Sequence, residues 1–155
     1  MKDTRILLEN EHEELLELLG EIARKKTEVG HLFSEVLRIF RYHLVKENES
    51  VVPLLAYMKD RLGEYKGNEK NFLNLARAKL EDLYPEMISE HNEMGKLIRL
   101  AQIKLEEEPD KLASKLAEQL LHHVELEEEL LYPAAFASGD LVEYELELLG
   151  DKIRY

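Results

Sequence analysis

The sequence feature that most constrains this chain is a histidine–glutamate pair that occurs twice. His43 is followed four residues later by Glu47, and His123 is followed four residues later by Glu127. Residues four apart share one face of an α-helix, so each pair directs an imidazole and a carboxylate the same way. In both copies a proline lies ten residues after the histidine. The repeated pair therefore predicts two similar helices that face one site.

Apolar residues recur at helical spacing along most of the chain, and no segment alternates long enough to be a convincing strand. Short connections within the first and the second helix pair predict an all-α, antiparallel four-helix bundle with short additional helices. We expect one domain, residues 1–155. The main helices are predicted over residues 4–24, 31–52, 69–107 and 111–132.

Prolines and glycines predict where these helices end. The second helix should end or kink at Pro53, with a short helix over residues 54–62. Pro85 should interrupt the third helical segment, giving an entry helix and a main helix or one continuous helix with a kink. After Pro133 the chain is expected to continue or bend. Other breaks are predicted at the turn 25–30, the linker 63–68, the turn 106–110 and Ser138-Gly139-Asp140, the last followed by a closing helix over 141–149.

Two further histidines lie at matched distances from the predicted turns. His12 and His43 have their midpoint in the first turn, and His91 and His123 have theirs at Glu107 in the later one. Residues equally far from the turn of an antiparallel hairpin lie at one height, so each pair is expected to meet near the middle of its hairpin. The halves also correspond: 79 residues separate His12 from His91, and 80 separate His43 from His123.

Four inward imidazoles and two carboxylates predict a metal site. Any one of these histidines alone could be an ordinary hydrogen-bonded core residue, and a single His-x-x-x-Glu pair could lie on an exposed helix face. Together and unpaired, their burial would cost several kcal/mol or more, which a pair of metal ions offsets. Nitrogen and carboxylate ligands suit iron, with manganese or zinc possible, and an oxo or hydroxo group could be a further bridge. The predicted ligands are His12, His43, Glu47, His91, His123 and Glu127, the two glutamates bridging.

Composition excludes several other functions. The chain has no cysteine, which removes disulfides, thiolate nucleophiles, iron–sulfur clusters and zinc fingers. A formal net charge of −12 argues against binding a nucleic acid. No apolar run has transmembrane length and the N-terminus lacks an apolar signal segment, so we expect a cytoplasmic protein that does not bind a membrane.

Several further residues are expected to lie around the predicted site or at the protein surface. His122 could replace His123 as a ligand, but its partner four residues on is Leu126, so it is interpreted as an outer or surface residue. His31, at a helix start, is expected at the surface. Leu130 is expected on the buried face of the fourth helix. The tyrosines near the site are expected either to hydrogen-bond around it or to be ordinary core: Tyr42, Tyr84 and Tyr132.

The six predicted ligands, with Pro53 and Pro133, resemble the pattern of the hemerythrin-like (HHE cation-binding) domain over about residues 4–135. The resemblance implies an up-down-up-down bundle around a non-haem di-iron centre. Oxygen-carrying hemerythrins have a fifth histidine one helical turn beyond the first on the third helix, where this chain has Gly95. The chain therefore resembles the four-histidine, two-glutamate members, which include proteins of iron-centre repair and of oxygen or nitric oxide response.

We accordingly expect a di-iron protein that binds or reacts with a small diatomic or anionic ligand such as oxygen, nitric oxide or peroxide. No signature of an organic-substrate pocket is found, so ligand binding is favoured over an organic-substrate enzyme. The alternatives are a non-enzymatic, metal-stabilised interaction or sensor module, for which a protein partner is possible, and a bundle holding a single zinc or manganese ion.

Overall fold

The computed structural model describes residues 4–60 and 67–154, which are helical apart from the short connections 24–27 and 108–110. A π-helical segment, Glu127–Leu131, joins the last two helices into one continuous rod. The all-α bundle is thereby confirmed. The predicted linker lies largely outside the described residues. The helices are α1 (Thr4–Ala23), α2 (Glu28–Asp60), α3 (Gly67–Glu107), α4 (Lys111–Leu126) and α5 (Tyr132–Arg154).

The two tight turns of the bundle lie at the same end. Lys25, in the turn between α1 and α2, forms an ion pair with Asp110, in the turn between α3 and α4. Asp110 also caps α4, because its carboxylate accepts hydrogen bonds from the backbone N–H groups of Leu112 and Ala113 at 3.1 and 3.2 Å. Two helical hairpins are thus aligned by their turns.

Apolar side chains form separate clusters above and below the level of the predicted site. The cluster near the turns is built from residues of α1, α2, α3 and α4, and Phe33 and Ile98 are among its fully buried members. A second cluster, on the other side of the site from the turns, includes Leu54 of α2 and Leu80 of α3. The polar site therefore lies between two water-excluding layers. None of the described helices has an apolar stretch long enough to cross a membrane.

The prolines do not end the helices in which they occur. Pro53 lies inside α2 and Pro85 lies inside α3, so the alternative in which each helix ends at its proline is wrong, whereas a kink at either residue stays a prediction. Proline removes the hydrogen bond to the carbonyl four residues earlier. That residue is Glu49 for Pro53 and Glu81 for Pro85, and both are exposed. Each proline therefore leaves a carbonyl without its helical donor at an exposed residue, where an unmade hydrogen bond costs less than in the core.

The predicted break at Ser138-Gly139-Asp140 was also wrong, because α5 is continuous there. A Cβ atom at Gly139 would lie 2.7 Å from Cγ of Arg77 on α3. The Ser138 hydroxyl donates a hydrogen bond to the carbonyl of Leu54 on α2 at 2.7 Å. The small residues therefore mark close packing between helices, not the end of one.

Leu130 was expected to be buried, but its side chain is 58% exposed, whereas Leu131 is 7% exposed. The wider π turn adds one residue to the helical repeat and so shifts the buried face by one position. The same shift brings Tyr132 to the interior, where it is fully buried.

Candidate metal centre

Four helical rods bring the six predicted ligands into one buried cluster. His12 comes from α1, His91 from α3 and the first histidine–glutamate pair from α2. The second pair joins the end of α4 to the first residue of the π-helical segment. Every one of the six is at most 4% exposed. The apolar periodicity that buries each helix face carries these polar residues inward with it.

The shortest contacts between imidazoles join helices of different hairpins. Nε2 of His12 lies 3.2 Å from Nε2 of His123, and Nε2 of His43 lies 3.0 Å from Nε2 of His91. Pairing within each hairpin had been expected. Equal distance from a turn fixes the height of a residue but not its direction around the helix, and here the rings point across to the neighbouring hairpin.

Glu127 belongs to both halves of the cluster. One group that could hold a metal ion consists of His12, His123 and Glu127, and the other consists of His43, His91 and Glu127. Oε1 of Glu127 is 3.1 Å from Nε2 of His91 and 3.4 Å from Nε2 of His123. A carboxylate in this place is suited to link two metal positions.

Unpaired oxygens provide a test of whether the site fits metal ions. Both carboxylate oxygens of Glu47 and Oε2 of Glu127 are fully buried and form no hydrogen bond within the described residues. Oε1 of Glu47 lies only 2.8 Å from Nε2 of His43, yet not in hydrogen-bonding geometry. Neighbouring ligands of one ion are about 3 Å apart when bonds are about 2.1 Å long. The donor set therefore fits metal ions.

Three carboxylates that the sequence analysis did not single out hold the outer nitrogens of the rings. Nδ1 of His43 lies 3.1 Å from Glu90. Nδ1 of His91 lies 2.9 Å from Glu128, and Nδ1 of His123 lies 2.8 Å from Glu11. In each case Nδ1–H donates to a carboxylate oxygen. This fixes the tautomer and leaves the lone pair of Nε2 directed at the centre, as in histidine metal sites generally.

The charges of the metal-free cluster are strongly coupled. Burial acts to lower the pKa of His43, but contacts with Glu127, Glu47 and Glu90 outweigh it and raise that pKa to about 11. Burial likewise opposes protonation of His123, while Glu11 and Glu127 raise its pKa to about 10. Protons thus occupy the cluster at neutral pH when no metal competes for the nitrogens.

The two buried glutamates differ in charge. Burial, and then repulsion from the charge of Glu127, raise the pKa of Glu47 well above its usual range. Burial also acts to raise the pKa of Glu127, but polar contacts with Glu47 and with the surrounding imidazoles lower it well below its usual range. In the metal-free site a proton is therefore held more tightly by Glu47 than by Glu127.

Comparison with known families agrees with this donor set. The family model of the hemerythrin HHE cation-binding domain matches residues 5–135. The chain belongs to this family. Comparison with curated proteins and with solved structures gives no significant match. The family match together with the buried histidine and glutamate groups makes this hemerythrin-like domain a metal-binding bundle.

The structure separates the three tyrosines near the site of this hemerythrin-like domain. Tyr42 is 65% exposed and lies outside the site. Tyr84 packs edge-on against Tyr132, with the ring centroids 5.9 Å apart. The Tyr132 hydroxyl lies 3.2 Å from Nε2 of both His43 and His91. Burial, and then the charges of nearby carboxylates, raise the pKa of Tyr132 above its usual range.

His31, His122 and Gly95 lie outside the cluster of predicted ligands. His31 and His122 are exposed, as expected for surface residues. Gly95 is buried, and a Cβ atom there would have Arg99 Nη1 as its nearest neighbour, at 3.8 Å. A surface cleft of about 330 Å³ reaches His91 past Gly95. Gly95 and His91 therefore line the same surface cleft.

The outer carboxylates should be needed for tight metal binding. Glu11→Gln is expected to weaken metal affinity about 10- to 100-fold, because the Nδ1–H of His123 loses a charged acceptor. Competition with a chromogenic chelator measures this. Glu13→Gln, at an exposed position of the same helix, is the matched control. Equal affinities for the two variants would show that Glu11 does not support His123 as a ligand.

Proposed function

We propose that this chain is a cytoplasmic, non-haem di-iron protein that binds or reacts with a small ligand such as oxygen, nitric oxide or peroxide. The observation that carries the proposal is that the two groups of side chains able to hold a metal ion share Glu127. In this proposal the terminal ligands are His12, His43, His91 and His123, and the bridging ligands are Glu47 and Glu127.

The ligand types favour iron. Imidazole nitrogens and carboxylate oxygens suit iron, and the described site contains none of the thiolates that favour zinc or copper(I). Two carboxylates offset only half the charge of two divalent ions, so an anionic ligand is favoured as a further partner. Manganese or zinc could occupy the same donors.

When bound, two iron ions would supply a redox-active Lewis acid for a diatomic or anionic ligand. The protein's own residues would hold and shield that ligand. Glu11, Glu90 and Glu128 keep the imidazoles oriented, and the apolar layers on either side exclude bulk water. The cleft beside Gly95 offers an approach for a small molecule. We therefore favour sensing, iron-centre repair or a stress response over conversion of an organic substrate.

Metal analysis combined with spectroscopy tests this proposal. Protein purified without chelator is expected to hold close to two irons per chain and to absorb in the near ultraviolet. The spectrum should change on exposure to nitric oxide, to azide, or to oxygen after reduction. One metal per chain, or none after anaerobic loading with ferrous iron, would rule out the di-iron assignment. Two irons with no response to any of these ligands would rule out the small-ligand role.

A second candidate is a metal-stabilised module without redox chemistry, holding a single zinc or manganese ion. The observation in its favour is that the site ties the two hairpins together between apolar layers. In that case zinc should restore the thermal stability of the chelator-treated protein as fully as iron does. If iron alone restores the stability, this candidate is wrong.

A further inference from the structure

Tyr132 lies inside the cluster, although it is outside the predicted ligand set. Its side chain is fully buried and its ring stacks on that of His91, with an interplanar angle of 8° and centroids 5.5 Å apart. Its hydroxyl oxygen is 3.2 Å from Nε2 of His91 and 3.2 Å from Nε2 of His43. These two nitrogens belong to the group of His43, His91 and Glu127 that could hold one metal ion.

The π-helical segment is what directs Tyr132 to this place. Tyr132 follows Glu127 by five residues, which in an α-helix would turn it about 140° away from that carboxylate. Here the backbone N–H of Tyr132 donates to the carbonyl of Glu127, and this five-residue turn stacks the two residues on one face. Because Pro133 has no N–H, the next hydrogen bond of the helix is missing in any case. The widened turn thus adds a phenol to the site.

The three inward atoms have the spacing of ligands to one ion. The nitrogens of His43 and His91 are 3.0 Å apart, and each is 3.2 Å from the oxygen of Tyr132. The centre of such a triangle is about 1.8 Å from each corner, so the three atoms together could hold one ion at ordinary bond lengths of about 2.1 Å. Oε1 of Glu127, 3.1 Å from Nε2 of His91, adds a fourth donor.

We propose that Tyr132 is a phenolate ligand of the metal ion held by His43 and His91. This inference rests on the proposed metal site. It gives the two metal positions different ligands, since His12 and His123 have no phenol beside them among the described residues. An oxygen ligand from α5 would thereby supply part of what Gly95 lacks on α3.

Hydrogen bonding supports ligation over a neutral phenol. In the metal-free protein the O–H of Tyr132 lies within reach of both Nε2 atoms. Once both Nε2 atoms bind a metal ion, neither has a lone pair left to accept a hydrogen bond, and a buried O–H without an acceptor is unfavourable. Ligation removes the problem: the O–H bond breaks, the oxygen forms a bond to the metal, and the proton leaves to solvent. No electron is transferred.

Substitution of Tyr132 by phenylalanine tests the proposal with a spectroscopic readout. Full-length protein is loaded anaerobically with ferrous iron and oxidised with ferricyanide. Wild-type protein should then show a visible phenolate-to-iron(III) charge-transfer band with tyrosine ring modes in its resonance Raman spectrum. Tyr132→Phe should lose both features while keeping the stacked ring and the helical content. Tyr84→Phe, which changes the neighbouring, partly buried ring, should keep both.

A zinc-loaded sample makes the test independent of iron. Zinc binding should produce the ultraviolet difference spectrum of one tyrosinate in wild-type protein and in Tyr84→Phe, but not in Tyr132→Phe. Loss of the iron band and of the zinc difference spectrum in Tyr132→Phe alone supports ligation. Metal bound by wild-type protein without a phenolate signal, or a signal that persists in Tyr132→Phe, overturns it. Failure to bind two irons overturns the di-iron function instead, and the zinc experiment then decides the role of Tyr132.

Discussion

Replacing His123 by alanine should lower metal affinity by well over about 100-fold, since loss of a direct ligand exceeds the loss of an outer partner. His123 is 1% exposed, and its Nε2 lies 3.2 Å from that of His12 and 3.4 Å from Glu127. The expected result is a protein that retains at most one metal ion after passage over a chelating resin. Metal content per chain, measured by mass spectrometry, gives the answer directly.

The matched control is the adjacent histidine on the same helix. His122 is exposed and belongs to neither of the two groups that could hold a metal ion, so His122→Ala should retain the metal content of the wild-type protein. Circular dichroism of both variants in the metal-free state separates ligand loss from unfolding. Equal metal loss in the two variants would mean that the choice of His123 over His122 was mistaken.

The metal-free protein should become less stable as pH rises above neutral. The pKa values of His43 and His123 are raised from 6.5 to about 11 and about 10, so the folded chain holds their protons more tightly than the unfolded chain. Their contribution to stability is therefore complete below about pH 6.5 and is lost as the pH approaches 10 to 11. The raised pKa of Glu47 acts in the same direction. Glu127, whose pKa is lowered, has the opposite effect, and its contribution is lost only in acid.

Urea unfolding of chelator-treated protein at pH 6.5, 7.5 and 9 measures this effect. We expect the free energy of unfolding to fall by about 3 kcal/mol for each of the two imidazoles across the series, given about 1.4 kcal/mol per pH unit for each proton released. Metal-loaded protein is the control. Its stability should not fall, because metal ions replace the protons on Nε2 and their affinity rises with pH. Stability of the metal-free protein that is flat or rises over this range would contradict the protonation of the cluster.

The helices and the six clustered residues were predictable because both are periodic in the sequence. Apolar spacing determines which helix face is buried, and the repeated His-x-x-x-Glu pair identifies polar residues that share that face. The assignment of the six as metal ligands stays a prediction. Distances from the turns gave their heights in the bundle. They could not give the pairing of His12 with His123, which depends on how each helix is rotated about its axis.

The outer carboxylates were hidden by their abundance. The chain has 33 acidic residues, and most of them are expected simply to be solvated. Yet each outer partner is the sequence neighbour of a predicted ligand: Glu11 precedes His12, Glu90 precedes His91, and Glu128 follows Glu127. A position about 100° round the helix from a ligand faces the adjacent helix, where it can reach a second histidine. This signal could have been used.

Other misses came from applying local rules without the surrounding packing. Proline was expected to end or kink α2 and α3, but both helices continue past it, and the carbonyls that lose their donor belong to exposed residues. Gly139 was interpreted as a break, although its role depends on Arg77, a residue of another helix. The burial of Leu131 in place of Leu130, and with it the position of Tyr132, followed from a π turn that ideal helical spacing does not predict.

The crossing of the imidazole contacts between hairpins makes the cluster a cross-link in the chain. His12 and His123 are 111 residues apart in sequence, and His43 and His91 are 48 apart. An ion shared by either pair closes a loop, and the entropy that such a closure removes grows only with the logarithm of loop length. Each such ion would act as a reversible cross-link between two hairpins that also share an apolar core. Removing the ions would take away two long-range links and leave that core, with the ion pair between the turns, to hold the hairpins together.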